Sequence, residues 1–376
     1  MTFKPNLEAL KKLIADEGLD ALIAMSPENF AYVAGVHILT VAAIRPRQAF
    51  AVLPAKGEPF LVLCSIETSL AKSEGWIKDI HNYTEFVDNP IDALTAALRE
   101  RGLSGGKVGI DLDYLPANSY EHLKNNLHNM GFVDTTEKIA TIRAIKTDDE
   151  VNYMEKATKE THRAVLDALA ESKLGDTERA IANRIGAGII SNGATGTLFL
   201  CFASGERTSQ PHAHATDRVP VEGDIIRFDV GGAYGAFATD FARTYSAGNP
   251  TAMQREVHRK LCEAQEETIA GMRPGVAAED VFFQCKEEFK KRGLEWRLPH
   301  VGHSFGVELH ESPMLRPGDK TKLKAGMVIN IEPMTVDDAG SFYHTEDLVV
   351  ITDNGYRLLT LGFAPKEIPI LGQKVA

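Results

Sequence analysis

The stretch Gly223-Asp-Ile-Ile-Arg-Phe-Asp229-Val-Gly-Gly-Ala-Tyr234-Gly235-Ala-Phe-Ala-Thr-Asp240-Phe-Ala-Arg243-Thr244 restricts the fold more than any other. Two strand-like runs surround Ala233-Tyr-Gly-Ala236, the pattern of a tight antiparallel hairpin. With the turn centred between Tyr234 and Gly235, Asp229 and Asp240 stand equally far from it. That makes them cross-strand partners on one face, with Cβ atoms roughly 5 Å apart. Like charges so close repel, and a divalent cation is an economical compensation. The bland alternative is a pair of solvated hairpin aspartates, the commoner fate of strand carboxylates.

Two further clusters change that balance. His300-Val-Gly-His303-Ser-Phe-Gly-Val-Glu-Leu-His310 sets three histidines within eleven positions. A lone histidine there is more often a satisfied core residue, whereas three point to a site. His303 and His310 differ by an odd number, so a regular strand separates them onto opposite faces. An irregular segment is needed if both serve one site, and Gly306 permits it. Downstream, Glu332 ends the apolar run Gly326-Met-Val-Ile-Asn-Ile, where a bare carboxylate is costly unless paired or metal-bound. Asp338-Ala-Gly340 reads as a turn, and Glu332 and Glu346 are symmetric about Ala339, so this pair too can face across strands. Four carboxylates and an imidazole suit two divalent ions such as Mn2+, Co2+ or Zn2+. Two metals sharing a water provide hydroxide near neutral pH and polarise a carbonyl.

At 376 residues the chain exceeds one ordinary core, and two domains are expected, residues 1–142 and 143–376. The first alternates helical and strand patterns: an amphipathic helix carrying Leu7, Leu10, Leu13 and Ile14 follows Met1-Thr-Phe-Lys-Pro5, and Asp20 to Ser26 reads as a strand. Ala49 to Leu53 and Phe60 to Cys64 flank a Gly/Pro turn, and further helices are expected at 90–101 and 117–130, with a strand near 108–111. This is an α/β layer domain without a chemical constellation, suited to covering or completing a site elsewhere. Thr147-Asp-Asp-Glu150 has capping-box spacing and opens the second domain's helices, expected at 148–171, 177–191, 251–272 and 277–292. Helices grouped in pairs before hairpin-like strands predict an α+β domain with antiparallel sheet.

A net charge of −11, from 41 basic and 52 acidic residues, argues against nucleic acid as a partner. The basic run Lys286 to Arg292 reads as a solvated helix face. The start of the chain lacks an apolar signal-peptide core, no span of eighteen apolar residues suggests a membrane, and the four scattered cysteines read as reduced thiols. A cytoplasmic location is therefore expected.

With these residues assembled, the chain resembles the creatinase/aminopeptidase P/prolidase family, the pita-bread metallohydrolases, essentially end to end. The resemblance implies a creatinase-like N-terminal domain and a pita-bread catalytic domain. It implies a dinuclear ligand set of Asp229, Asp240, His303, Glu332 and Glu346, with Mn2+ the first expectation, and Glu332 doubling as proton shuttle for the bridging water. It gives His310 a role in stabilising the tetrahedral intermediate, and Ser209-Gln-Pro-His212 matches the element whose histidine lies over the site. Asp240-Phe-Ala-Arg243-Thr244 matches the D-x-x-R-T that supports the second aspartate. His300, His344 and Arg207 are assigned to substrate contact, and a homodimer is implied.

The sequence also departs from the peptidase pattern. Peptidase members carry an Arg two residues before the last ligand, where this chain has His344. They tend to have a histidine four residues before the ligand histidine, where this chain has Pro299, with His300 one residue closer. Gly302-His-Ser-Phe-Gly306 and Glu332-Pro-Met334 resemble creatinase, although creatinase lacks the full metal set that this chain keeps. The leading expectation is hydrolysis of an Xaa-Pro dipeptide or short peptide. The alternatives are a creatinase-like amidohydrolase or lyase for a small non-peptide metabolite, and a non-enzymatic binding protein on the same scaffold.

Overall fold

The computed structural model describes residues 4–44 and 46–375, so the first three residues of the first expected domain and the last residue of the second lie outside the described residues. The chain divides into two compact units, with the break between Arg143 and Ala144.

In the first unit six strands form a mixed sheet. Ala21–Ala24 lies in its middle, antiparallel to Phe50–Pro54 and parallel to Gly106–Ile110. Phe50–Pro54 pairs antiparallel with Phe60–Cys64, the expected hairpin. The outer strands, Ile80–Tyr83 and Met130–Asp134, join in parallel and were not expected from sequence. Their apolar alternation is short and partly exposed, which leaves little pattern to read. Helix Leu7–Asp16 buries Leu10 and Ile14 and is capped by Asn6, which accepts from Ala9 N–H. Helix Pro27–Ala34 begins at Ser26 with proline in its first turn.

The second unit is α+β, and the strand ladders of its sheets are antiparallel. Its order of elements repeats once. Helices Asp148–Ala170 and Glu178–Ser191 precede strands Gly196–Ser204, Ile225–Tyr234 and Phe241–Ser246; helices Ala252–Ala270 and Ala278–Arg292 precede strands Gly302–Ser304, Glu311–Met314, Val328–Ile331 and Asp347–Ile351. Local chemistry sets the helix starts. Thr147 and Glu150 form the expected capping box, and Thr251 and Gln254 form another. Lys286, Lys290 and Lys291 lie on the exposed side of the last helix.

Each helix pair covers one face of its own sheet. Along Ile225–Tyr234 the even residues Ile226, Phe228 and Val230 pack with Val165, Leu169 and Ile185 from the first pair. In the second half the odd residues Ile329, Ile331, Val349 and Ile351 pack with Leu261, Val281 and Phe289. Strand alternation therefore leaves Arg227 and Asp229 on the uncovered face of one sheet, and Asn330 on that of the other. The chemistry gathers between these two uncovered faces.

Candidate metal centre

The first hairpin differs from expectation by one position. Tyr234 pairs with Phe237, so the loop is Gly235-Ala236, and Asp229 lies opposite Ala242 rather than Asp240. The reason is the turn: Gly235 takes φ +59° at the first central position, the requirement of a type II′ turn, which places glycine before the turn centre rather than after it. Moving the centre by one residue preserves strand parity, so Asp240 becomes the diagonal neighbour of Asp229 on the same face. Asp240 itself sits in a gap between Phe237–Ala238 and Phe241–Ser246. Its approach is pinned by Thr239, whose hydroxyl accepts from Gly232 N–H and lies 2.9 Å from the Thr161 hydroxyl.

The second hairpin has the expected register. Met334 pairs with His344 and Val336 with Phe342, while Val328–Ile331 pairs with Asp347–Val350 in the same register. Glu332 and Glu346 occupy the break between these two ladders. Asp337 closes the turn by accepting from Ala339 N–H and Ser341 N–H, each at 2.9 Å.

These breaks bring the carboxylates together. One oxygen each of Asp229, Asp240 and Glu346 lie within 4.8 Å of one another. His303, on Gly302–Ser304 opposite Asn330, places Nε2 3.5 Å from Glu332 Oε1 and 3.8 Å from Asp240 Oδ2. Its Nδ1 faces the Ser304 carbonyl at 3.1 Å. The segment between His303 and His310 is irregular, and it brings their rings to 4.1 Å between centroids.

The electrostatics follow from crowding. Burial, then Glu346, Asp229 and Glu332, drives Asp240 well above the carboxylate range. Burial, then Asp229 and Glu332, do so for Glu346. Burial and Asp229 push Glu332 up to about 8, and burial raises Asp229 against the pull of Arg227. Burial lowers His303 to about 3, which keeps its ring neutral. Asp229 Oδ1, Glu346 Oε2 and His303 Nε2 are buried without a hydrogen-bond partner among the described residues. Orphaned acceptors beside mutually repelling carboxylates are what a bound divalent cation satisfies, so this donor set fits one.

Above the acids lies a cavity of about 700 Å3 lined by His212, His214, His300, His310 and His344, with Phe199, Leu298, Met334, Val336 and Phe342 as its apolar wall. His300 Nδ1 is 3.5 Å from Glu332 Oε1. Arg207 is absent from the lining. Its guanidinium pairs with Glu178 and donates to the His214 carbonyl at 2.8 Å, so it shapes the loop that carries His214.

Several participants were missed from sequence. Arg227 is buried, lines the cavity, donates to the Pro211 carbonyl at 2.7 Å and stands 3.8 Å from Asp229. Asn330 donates from Nδ2 to Glu346. Each lies two residues before an acid of the cluster in a strand, so period-two alternation was a signal for both. Arg243 and Thr244, expected from the D-x-x-R-T element to support Asp240, hold other members of the site: Arg243 donates to the Glu346 main-chain carbonyl and to Asp347 Oδ1 at 2.6 Å, and Thr244 brackets His344 by hydrogen bonds to its N–H and its carbonyl.

The sequence profile of metallopeptidase family M24 matches residues 152–353, more than half of the chain. The chain belongs to metallopeptidase family M24. It is an enzyme family that works with divalent metal, and residues 6–145 of this M24 chain match the Creatinase/Prolidase N-terminal domain. Among curated relatives, an Xaa-Pro dipeptidase of Pyrococcus furiosus is 29% identical over 359 residues, covering 95% of this chain and 98% of the relative. Among solved structures, a prolidase from Thermococcus sibiricus gives a TM-score of 0.84 at 28% identity, covering 99% of this chain and 100% of that one. An X-Pro aminopeptidase from Thermotoga maritima, at 24% identity, shares the fold with a TM-score of 0.85, covering 97% of this chain and 99% of that one. Among the described residues of this M24 peptidase, no helix is long and apolar enough to cross a membrane.

Proposed function

We propose that this M24 peptidase hydrolyses Xaa-Pro dipeptides or short Xaa-Pro peptides, using two divalent cations held by Asp229, Asp240, His303, Glu332 and Glu346. The observation that carries the reading is the set of four crowded carboxylates and the unpartnered Nε2 of His303 at the floor of the cavity. The relatives named Xaa-Pro dipeptidase supply the substrate class.

Bound cations supply Lewis acidity, polarising the scissile carbonyl and activating water near neutral pH. The chain's residues do the rest. Glu332, on the floor of the cavity, accepts a proton from the nucleophilic water and returns it to the leaving nitrogen. His310 and His212 line the cavity and donate to the carbonyl oxygen as it gains charge. Leu298, Met334, Val336 and Phe342 receive the apolar proline ring, with His300 beside Glu332 at the substrate's polar end. A cytoplasmic homodimer completes the proposal, and light scattering on purified protein checks its assembly.

The deciding experiment reconstitutes metal-free protein with Mn2+, Co2+ or Zn2+. It then assays Xaa-Pro dipeptides, longer Xaa-Pro peptides and creatine-like amides. Cleavage of Xaa-Pro bonds that chelator abolishes is the expected result. Turnover of the small amides alone establishes the second reading, a non-peptide amidohydrolase, which is motivated by His344 standing where peptidase members carry arginine.

A further inference from the structure

His344 is buried at the wall of the cavity, yet neither ring nitrogen makes a well-formed hydrogen bond among the described residues, although the Glu332 main chain stands close to the ring. A buried imidazole without well-formed hydrogen bonds is costly, and a ligand in the cavity relieves that cost. Its surroundings identify that ligand. Nδ1 lies 4.0 Å from Asp229 Oδ2, and Nε2 lies 3.7 Å from Glu332 Oε2. These separations exceed a hydrogen bond. Two donors each about 2.1 Å from one ion stand about 3–4 Å apart, depending on the angle between them. His303 shows the same pattern, at 3.5 and 3.8 Å from Glu332 and Asp240.

We infer that His344 is a second imidazole donor of the metal centre, with Nδ1 contributing its lone pair to the cation held by Asp229 and Nε2–H directed at Glu332. This rests on the divalent-cation reading above and adds a nitrogen donor to it. A further feature agrees. The His344 main chain is clamped by Thr244, whose hydroxyl accepts from His344 N–H at 2.8 Å and donates to its carbonyl at 2.9 Å, so the ring is delivered to one place. An added imidazole also changes the preferred ion, because nitrogen donors favour Zn2+ or Co2+ whereas all-oxygen sites suit Mn2+.

The test loads metal-free wild-type protein with Zn2+ and counts imidazoles by X-ray absorption fine structure. Two imidazoles across two bound ions are expected. One imidazole across two ions overturns the inference while leaving the dinuclear proposal intact. Fewer than two bound ions overturns both. A second arm titrates wild type, His344→Asn and His344→Arg with Zn2+ and with Mn2+, after metal-free thermal unfolding has verified that each variant folds. The weaker of the two Zn2+ affinities should fall at least tenfold in both variants, while the Mn2+ affinity changes less than threefold. Equal losses for the two metals, or no loss, overturn the inference.

Discussion

Arg243 lies behind the acid cluster and holds it from the rear. Its guanidinium pairs with Asp347, which is fully enclosed and also accepts from the Thr360 hydroxyl. Arg243→Ala strands that carboxylate, and removing one partner of a buried pair costs about 3–5 kcal/mol. Denaturant unfolding of metal-free protein should show a loss of that size; a change under about 1 kcal/mol would mean that Thr360 and the Ala364 N–H suffice for Asp347. At the reacting centre, Glu332→Gln keeps the shape of the side chain and removes the proton acceptor. Turnover should fall by about 10²–10⁴-fold with KM within a fewfold of wild type. Near-wild-type turnover would take Glu332 out of the proton transfer.

At the scale of elements, the position of His303 depends on one close approach. Gly302 adopts φ +149°, and a Cβ there would stand 1.9 Å from the Asn330 carbonyl oxygen across the ladder. Gly302→Ala should therefore break the pairing that sets His303, lowering stability by about 3 kcal/mol and weakening metal binding together. Gly196→Ala, on strand Gly196–Ser204 with open space around it, is the matched control and should stay within about 0.5 kcal/mol of wild type. The helix starts and the second hairpin were legible because their determinants are local: a Thr and its third neighbour, or the Asp338-Ala-Gly340 turn. The first hairpin was legible in its face but not in its register. Gly235 fits the turn in either frame by composition alone, and only the φ it adopts decides between them.

For the whole molecule, metal and pH act through the same buried groups. In the metal-free chain Glu332 titrates near 8 instead of 4.5, so its protonated form is favoured by folding. That contribution is complete below about pH 4.5 and is lost as the pH rises toward 8. Metal-free protein should accordingly melt at lower temperature at pH 8 than metal-free Glu332→Gln does, relative to their difference at pH 5. Adding a divalent ion at 1,000 times its Kd should stabilise wild type by about 4 kcal/mol. His258 works in the opposite sense. Its ring is sealed in the core with one nitrogen 2.9 Å from the Pro365 carbonyl, and burial lowers it from 6.5 to about 4. Folding favours the neutral ring, so this contribution is complete above pH 6.5 and declines as the pH falls to 4. The loss amounts to about 3 kcal/mol, and it should be missing from the pH profile of His258→Gln.

What the sequence determined by itself was parity and order. Alternation along strands put Asp229 and Asp240 on one face, symmetry about Ala339 put Glu332 and Glu346 across from each other, and grouped helices implied the antiparallel α+β unit. These are short-range consequences of backbone geometry, readable without knowing what packs where. Tertiary structure alone decided that the two hairpins meet. It placed His303 against Asp240 from the other half, sent Arg207 to Glu178 instead of the cavity, and buried His344 between Asp229 and Glu332. Those outcomes depend on which sheet faces the two helix pairs cover, and that choice is made by apolar packing summed over both cores rather than by any residue near the site.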